Sequence, residues 1–152
     1  MRLADKVRPE FVLIAPDVAR RDELFRLFGS VFERSGLVPD GGVVVDKLLE
    51  RERILSTGIG GGVAVPHAQV PGIGRLAMAV SIHPSGIEYP ALDGQPVRLV
   101  FCLIGDANTA ADHLAGLARL ARLARRDDAL DRLIQADSGQ AFLAMLAELE
   151  GA

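Results

Sequence analysis

The sequence predicts an α/β protein in which a mixed β-sheet is flanked by helices, and a single domain over residues 1–152. Three observations support this. Short apolar runs typical of buried strands alternate with stretches of helical periodicity. Clusters of Pro, Gly and Asp separate these elements. Neither a linker nor an internal repeat interrupts the chain, and at this length one core buries about 70% of the unfolded surface.

The first third of the chain predicts one strand and two helices. Residues 11–14 (FVLI) form a short apolar run typical of a strand. Residues 22–34 carry apolar side chains at helical spacing, and Gly36 is placed to end that helix. Asp40 is placed to cap a second helix that continues to about Arg53.

The middle of the chain predicts three strands joined by turns. The strands are expected at residues 63–65, 76–82 and 97–104. Pro84 and Gly86 are expected to end the second strand. Turns at residues 71–74 and 93–96 lie between neighbouring strand candidates, so we expect antiparallel pairing at both places and therefore a mixed sheet.

The last third predicts three helices. The first covers about residues 110–125, and Thr109 with Asp112 has the spacing of a capping box. The periodicity places four residues on its buried face: Leu114, Leu117, Ala121 and Ala124. The two further helices are expected to start at Asp127–Asp128 and at Ser138, the last one ending at Glu150.

Composition limits the classes of function. The formal net charge of −3 argues against a nucleic-acid footprint over the whole surface. The single cysteine, Cys102, excludes an internal disulfide and lies in an apolar run, where a buried and inert thiol is expected. The N-terminus has no apolar signal region, and no run approaches about 18 apolar residues. We therefore expect a soluble, cytoplasmic protein with no direct membrane insertion.

A candidate site lies where a glycine-rich stretch leads to a histidine. Four glycines within residues 58–62 precede a short apolar run and then Pro66 and His67. Because glycine permits close approach, His67 is a candidate for chemistry; the alternative is a tight turn with a surface histidine. The stretch fits neither a Walker loop, since no Gly-Lys-Ser/Thr follows it, nor a dinucleotide fingerprint, since it leads into a strand.

Three further groups bear on this site. His113 is expected in the first turn of a helix, where free backbone N–H groups favour an anion and disfavour an imidazolium. Arg51 or Arg53 could direct a guanidinium to an oxyanion near His67, unless both belong to a solvated charged face. His83 has no charge near it in the sequence, and a structural role is expected. Two histidines without a third ligand are a weak zinc signal, so we expect no metal, and a zinc hydrolase is the least favoured alternative.

A signature extends over this stretch. Glu52, six further residues and then I-G-x-x-V-A-V-P-H-A, ending at Ala68, resembles the signature of enzyme IIA of the fructose/mannitol type. That family belongs to the bacterial phosphoenolpyruvate-dependent phosphotransferase system. Residues 56–60 are most similar to its nitrogen-related regulatory branch. The resemblance includes residues 93–97 and the H-L-x-x-L sequence that begins at His113, and covers about residues 37–136.

The resemblance implies a mixed-sheet fold and a protein-histidine phosphotransferase component that needs no cofactor. By position, His67 would accept a phosphoryl group from an HPr-like carrier protein phosphorylated on histidine, and pass it to an enzyme IIB-type acceptor. His113 would be the auxiliary histidine, and Arg51 the arginine beside the phosphate. We expect these two side chains and the N–H groups of the glycine stretch to hold the phosphoryl oxygens.

An alternative function remains open. In this alternative the protein is a regulatory module, and the phosphorylation state of His67 controls its binding to a kinase or a transporter. The sequence indicates neither a sugar nor an oligomeric state.

Overall fold

The computed structural model describes residues 1–126 and 128–151, in which six strands form one mixed sheet flanked by five helices. The strands are β1 (Val12–Ile14), β2 (Gly58–Gly60), β3 (Val63–Ala64), β4 (His67–Gln69), β5 (Ala77–Ile87) and β6 (Val97–Gly105). The helices are α1 (Arg21–Arg34), α2 (Gly41–Ile54), α3 (Ala110–Ala124), α4 (Ala129–Leu133) and α5 (Gly139–Gly151). The predicted fold class is confirmed.

Strand β6 lies at the centre of the sheet, whose order is β1-β5-β6-β3-β2, with β4 also paired to β6. β5 and β6 are antiparallel, as the turn at residues 93–96 predicted. The antiparallel pairing expected across residues 71–74 is wrong, because β3 and β4 pair with β6 in parallel. The chain after β4 passes the C-terminal end of β6, so that β4 and β5 lie on opposite sides of it.

Strand β5 is longer than predicted, because it continues through Pro84 and Gly86 to Ile87. Its pairing with β6 shifts register between Ile82 and Ile87. Pro84 lies within this irregular stretch, where its missing N–H removes no ladder hydrogen bond. Proline and glycine therefore bend β5 without ending it.

Helices α1 and α2 form where the sequence predicted them and pack closely against each other. The Asp40 carboxylate accepts a hydrogen bond from the N–H of Gly42 at 2.8 Å, which confirms the predicted cap. Gly36 follows α1 with a φ of +80°, a left-handed conformation suited to glycine. A Cβ atom on Gly29 would lie 2.6 Å from the Gly41 carbonyl oxygen, so this helix contact requires glycine.

Helix α3 differs from its prediction in two ways. The Thr109 hydroxyl bonds back to the backbone of Asp106 and does not cap the helix with Asp112. The buried face is one residue out of phase with the predicted one and contains His113, Gly116, Leu120 and Leu123. Gly116 allows α3 to approach Leu103 of β6, and Leu114 is consequently 70% exposed.

The C-terminal helices complete the described structure. Helix α5 follows Ser138, where the sequence predicted its start, and the Ser138 hydroxyl accepts a hydrogen bond from the N–H of Ala141. The proposed start of α4 at Asp127 lies outside the described residues, and the helix follows Asp128. Cys102 is buried, and this burial raises the pKa of its thiol, as expected for an inert cysteine. No helix in the described ranges is long and apolar enough to cross a membrane.

Candidate functional site

A groove of about 560 Å³ opens between α2, β4 and α3. His67 enters it from β4, which pairs in parallel with β6 so that His67 lies opposite Leu103. Arg51 enters from the last turns of α2, and His113 enters from α3. The structure thus brings together all three predicted site residues, which are far apart in the sequence.

Two hydrogen bonds fix the imidazole of His67. Its Nδ1 lies 2.9 Å from the carbonyl oxygen of Val65, which can only accept, so Nδ1 carries the proton. The Nε of Arg51 donates to Nε2 of His67 at 3.2 Å. The lone pair of the neutral ring is therefore on Nε2, where it accepts the hydrogen bond from Arg51.

The protein favours the neutral form of His67. Its pKa is lowered from the ordinary value, first by burial and further by the charge of Arg51. The hydrogen bond to Val65 and the charge of Glu52 oppose this shift without cancelling it. Above the ordinary histidine pKa of about 6.5, the ring is an unprotonated nucleophile.

Arg51 is held by the chain that follows its own helix. Its Nη1 donates to the carbonyl oxygen of Leu55 at 3.0 Å while its Nε binds His67. Arg53, the other candidate, is exposed and does not line the groove. The structure therefore places Arg51, and not Arg53, beside the histidine.

The ring of His113 lies 5.3 Å from the ring of His67, at an interplanar angle of 71°. Only 6% of His113 is exposed, and among the described residues its Nδ1 has no hydrogen-bond partner. Burial, followed by the nearby His67, lowers the pKa of His113. Both rings are therefore favoured in the neutral form. Both nitrogens of His67 make hydrogen bonds, whereas the buried Nδ1 of His113 makes none within the described part of the chain.

The glycine stretch does not belong to this groove, which corrects the expectation that its N–H groups would hold phosphoryl oxygens. Gly60, Gly61 and Gly62 have φ angles of +92°, +66° and +83° and form the tight turn between β2 and β3. The N–H of Gly61 donates to Asp93 at 2.9 Å. Val63, which follows this turn, pairs with Leu99 of β6, whereas His67 pairs with Leu103. These two positions on β6 are four residues apart, a distance of about 13 Å at about 3.3 Å per residue.

His83 lies away from the groove, and the described residues form no cluster suited to a metal ion. His83 is buried in β5 with its Nε2 2.8 Å from the Ser81 hydroxyl, and does not line the groove. This position agrees with the structural role expected for it. Among residues 1–126 and 128–151, no three His, Cys, Asp or Glu side chains cluster in a way that could hold a metal ion.

The apolar rim of the groove, which comprises Ile54 and Leu114, was not among the residues predicted from the sequence. These side chains are 78% and 70% exposed, and both line the groove directly. Ile54 lies off the buried stripe of α2, and that phase difference is the signal that could have identified it. Leu114 was assigned to the core because the phase of α3 was misjudged by one residue.

The fold and the groove define a class of α/β proteins that present a neutral, nucleophilic histidine at the surface. The chain belongs to the family described as "Phosphoenolpyruvate-dependent sugar phosphotransferase system, EIIA 2", which matches residues 6–149. This match is longer than the resemblance over residues 37–136.

Relatives from both branches of the family resemble the chain. It is 35% identical over 148 residues to a nitrogen regulatory protein of Bradyrhizobium diazoefficiens, covering 97% of this chain and 95% of the relative. It is 34% identical over 115 residues to the fructose-specific EIIA component of the phosphotransferase system of Haloferax volcanii, covering 76% and 75%. Relatives of this kind are therefore named for regulation as well as for a sugar.

Solved structures share the fold. The nitrogen regulatory protein IIA-Ntr of Neisseria meningitidis is 27% identical with a TM-score of 0.87, over 95% of this chain and 98% of that one. The mannitol enzyme IIA of Escherichia coli, solved in complex with phosphorylated enzyme IIB, is 20% identical with a TM-score of 0.75, over 93% and 99%. The second likeness concerns the fold alone.

Proposed function

We propose that this protein is a phosphocarrier that accepts a phosphoryl group on Nε2 of His67. The donor is a carrier protein phosphorylated on histidine, and the acceptor is an enzyme IIB-type protein. One observation carries the proposal: the Val65 carbonyl holds the proton on Nδ1 of His67, which leaves the Nε2 lone pair beside Arg51. Membership of the enzyme IIA family supports it.

The transfer needs neither a cofactor nor a proton shuttle. Arg51 releases Nε2 of His67 and turns its N–H groups to the phosphoryl oxygens. The freed lone pair on Nε2 then attacks the donor phosphorus in line, so that a new N–P bond forms as the donor N–P bond breaks. The donor imidazole leaves with the electron pair of the broken bond. Both rings keep their other N–H throughout, so the proton count balances and the step is readily reversible. Positioning and charge stabilisation supply the catalysis.

Arg51 and His113 are the groups proposed to hold the phosphoryl oxygens. Arg51 is already at hydrogen-bonding distance of the attacking nitrogen, and its planar guanidinium suits paired phosphoryl oxygens. His113 offers a neutral ring at 5.3 Å between centroids. The N-terminal residue of α3, Ala110, also lines the groove, where the helix dipole favours negative charge.

The apolar rim supports a protein as the reaction partner. Large apolar side chains at high exposure around a reactive residue are typical of a protein-docking surface. The mannitol-type structure in complex with phosphorylated enzyme IIB agrees in fold with this chain. We therefore assign the rim to contact with the carrier and the acceptor in turn.

The proposal is tested by following label from the phosphorylated carrier to this protein and on to the acceptor. His67→Ala should take up no label, whereas His83→Gln, altered outside the groove, should label as the wild type does. Replacing His113 with Gln should slow onward transfer more than uptake. Undiminished labelling of His67→Ala would sink the assignment, and a His113→Gln variant unchanged in both steps would leave that residue a structural role.

A regulatory module is the second candidate function, favoured by the names of the Bradyrhizobium and Neisseria proteins. A phosphoryl group would add about −1.5 to −2 charges inside the apolar rim, enough to make or break an interface. Pull-down with phosphorylated and unphosphorylated protein separates the candidates. Capture of permease subunits supports sugar uptake, and phosphorylation-dependent capture of a kinase or transporter supports regulation.

A further inference from the structure

We propose that the buried carboxylate of Glu52 positions His67 for phosphoryl transfer through hydrogen bonds that run by way of Thr57 and Val65. This inference rests on the proposed function. It assigns a role to a residue that does not line the groove and cannot touch the phosphoryl group.

Glu52 lies beside Arg51 in the sequence but points away from the groove. It is 8% exposed, and its carboxylate accepts hydrogen bonds from the N–H of Thr57 at 3.3 Å, from the Thr57 hydroxyl, and from the Tyr89 hydroxyl at 3.0 Å. Arg21 of α1 adds an ion pair at 3.7 Å. The carboxylate therefore joins α1, α2, the segment before β2 and the segment after β5.

Packing alone does not explain this carboxylate. A buried charge is costly to desolvate, and an apolar side chain of similar volume often stabilises a protein equally well. Burial, followed by the charge of Glu52, raises the pKa of Tyr89, so that its hydroxyl stays protonated and remains a donor. Unlike an apolar side chain, the Glu52 carboxylate accepts hydrogen bonds from Thr57 and thereby fixes its position.

Two hydrogen bonds connect the backbone of Thr57, through Val65, to Nδ1 of His67. Its carbonyl oxygen accepts a hydrogen bond from the N–H of Val65 at 2.9 Å. The carbonyl of Val65 then accepts the Nδ1 proton of His67, also at 2.9 Å. Each residue in this series orients the next, so the plane and tautomer of His67 depend on where Glu52 holds Thr57.

Residues 55–57 also position the hydrogen-bond partner of the second ring nitrogen of His67, Nε2. Leu55, two residues before Thr57, ends α2 in an extended conformation, and its carbonyl oxygen accepts from Nη1 of Arg51 at 3.0 Å. Arg51 in turn donates to Nε2 of His67. Fixing residues 55–57 thus fixes the partners of both ring nitrogens, which an exposed turn would leave mobile.

The charge of Glu52 also affects the pKa of His67, which gives the test a second measurable quantity. It raises the pKa of His67, against the lowering caused by burial and by Arg51. The other titratable ring facing His67 is His113 of α3, which the variants below leave in place. An amide at position 52 keeps the shape of the side chain and removes this charge.

The test combines NMR of the His67 ring with the kinetics of phosphoryl uptake. Glu52→Gln and Thr57→Val alter the two ends of the buried contact. Asp46→Asn is the matched control, since it changes an exposed carboxylate to an amide on the same helix. Thermal unfolding establishes that each variant is folded before the ring is measured.

We expect both site variants to lose the pure Nδ1–H tautomer, and Glu52→Gln also to lower the His67 pKa. The uptake rate at saturating carrier should fall roughly 10- to 100-fold with little change in KM, since misplacement by about 1 Å costs this much.

A folded Glu52→Gln or Thr57→Val variant with the wild-type tautomer and rate would overturn the inference. If Glu52→Gln does not fold, Thr57→Val alone decides. Wild-type protein that takes up no phosphoryl group would refute the proposed function, and the ring measurement would still test the positioning.

Discussion

At the scale of single residues, the environment of His67 decides both its charge and its reactive nitrogen. Burial and Arg51 lower the pKa of His67, while Val65 fixes the proton on Nδ1. The sequence could single out His67 as the candidate residue, because a proline–histidine signature and a second histidine are visible in it. It could not predict which ring nitrogen carries the proton, because that depends on a backbone carbonyl placed by the fold.

Replacing Arg51 should change both the proton affinity of His67 and its rate of phosphorylation. Arg51→Gln removes a positive charge, so the pKa of His67 should rise toward its ordinary value and the acid limb of the pH–rate profile should move to higher pH. Loss of a charged donor to the phosphoryl oxygens should slow uptake roughly 100-fold at pH 8. NMR titration and single-turnover labelling measure these effects.

Arg53→Gln is the control for that variant, because Arg53 is exposed two residues further along the chain. It should leave both the His67 pKa and the labelling rate unchanged. Equal effects of the two substitutions would show that general surface charge, and not the contact with Nε2, governs the reaction.

At the scale of the elements, the periodic helices and the apolar strands were predictable, whereas β2 and β4 were not. Helix α1 carries an apolar stripe and is followed by Gly36, and α2 is capped by Asp40. The apolar runs predicted at residues 11–14 and 63–65 contain β1 and β3, but β2 and β4 have three residues each and no apolar run that would identify them. The glycines were interpreted as a ligand loop because a hairpin that needs positive φ angles has the same composition.

The buried His83 of β5 is expected to make the protein less stable in acid. Burial lowers the pKa of His83 from 6.5 to about 4, so the unfolded chain takes up the proton first and stability falls as the pH drops from 6.5 toward 4. At about 1.4 kcal/mol per pH unit, this histidine alone accounts for a loss on the order of 3 kcal/mol. His83→Gln should lack this component.

Urea unfolding at a series of pH values measures the effect. The stability difference between wild type and His83→Gln should shrink by on the order of 3 kcal/mol between pH 6.5 and pH 4. His67 and His113 have lowered pKa values too, but they remain in both proteins and cancel. Parallel stability curves would refute the burial of a neutral His83.

At the scale of the whole molecule, the sheet and two helices bring distant residues to one groove with an apolar rim. The family signature allowed Arg51, His67 and His113 to be grouped from the sequence. The α3 part of the rim, Leu114, could not be foreseen, because its exposure depends on the approach of α3 to β6 at Gly116. The role of Glu52 likewise depends on contacts with Arg21 and Tyr89 from other elements.

The rim predicts a specific effect on partner binding. Leu114→Asp should raise the KM for the phosphorylated carrier about 10-fold, since losing one buried apolar contact costs about 1.4 kcal/mol at an interface. The rate at saturation should change little, because Leu114 holds no reacting atom. Leu92→Asp is the matched control, being 67% exposed and outside the groove. Equal effects of both substitutions on KM would contradict docking at the rim.

Whether His67 accepts a phosphoryl group on Nε2 is determined by locating that group in the phosphorylated protein. NMR of the ¹⁵N-labelled protein after incubation with the phosphorylated carrier distinguishes the two ring nitrogens of each histidine. We expect a single phosphoryl group on Nε2 of His67, with Nδ1 still protonated against the carbonyl of Val65. A phosphoryl group on Nδ1 of His67, or on His113, would contradict it.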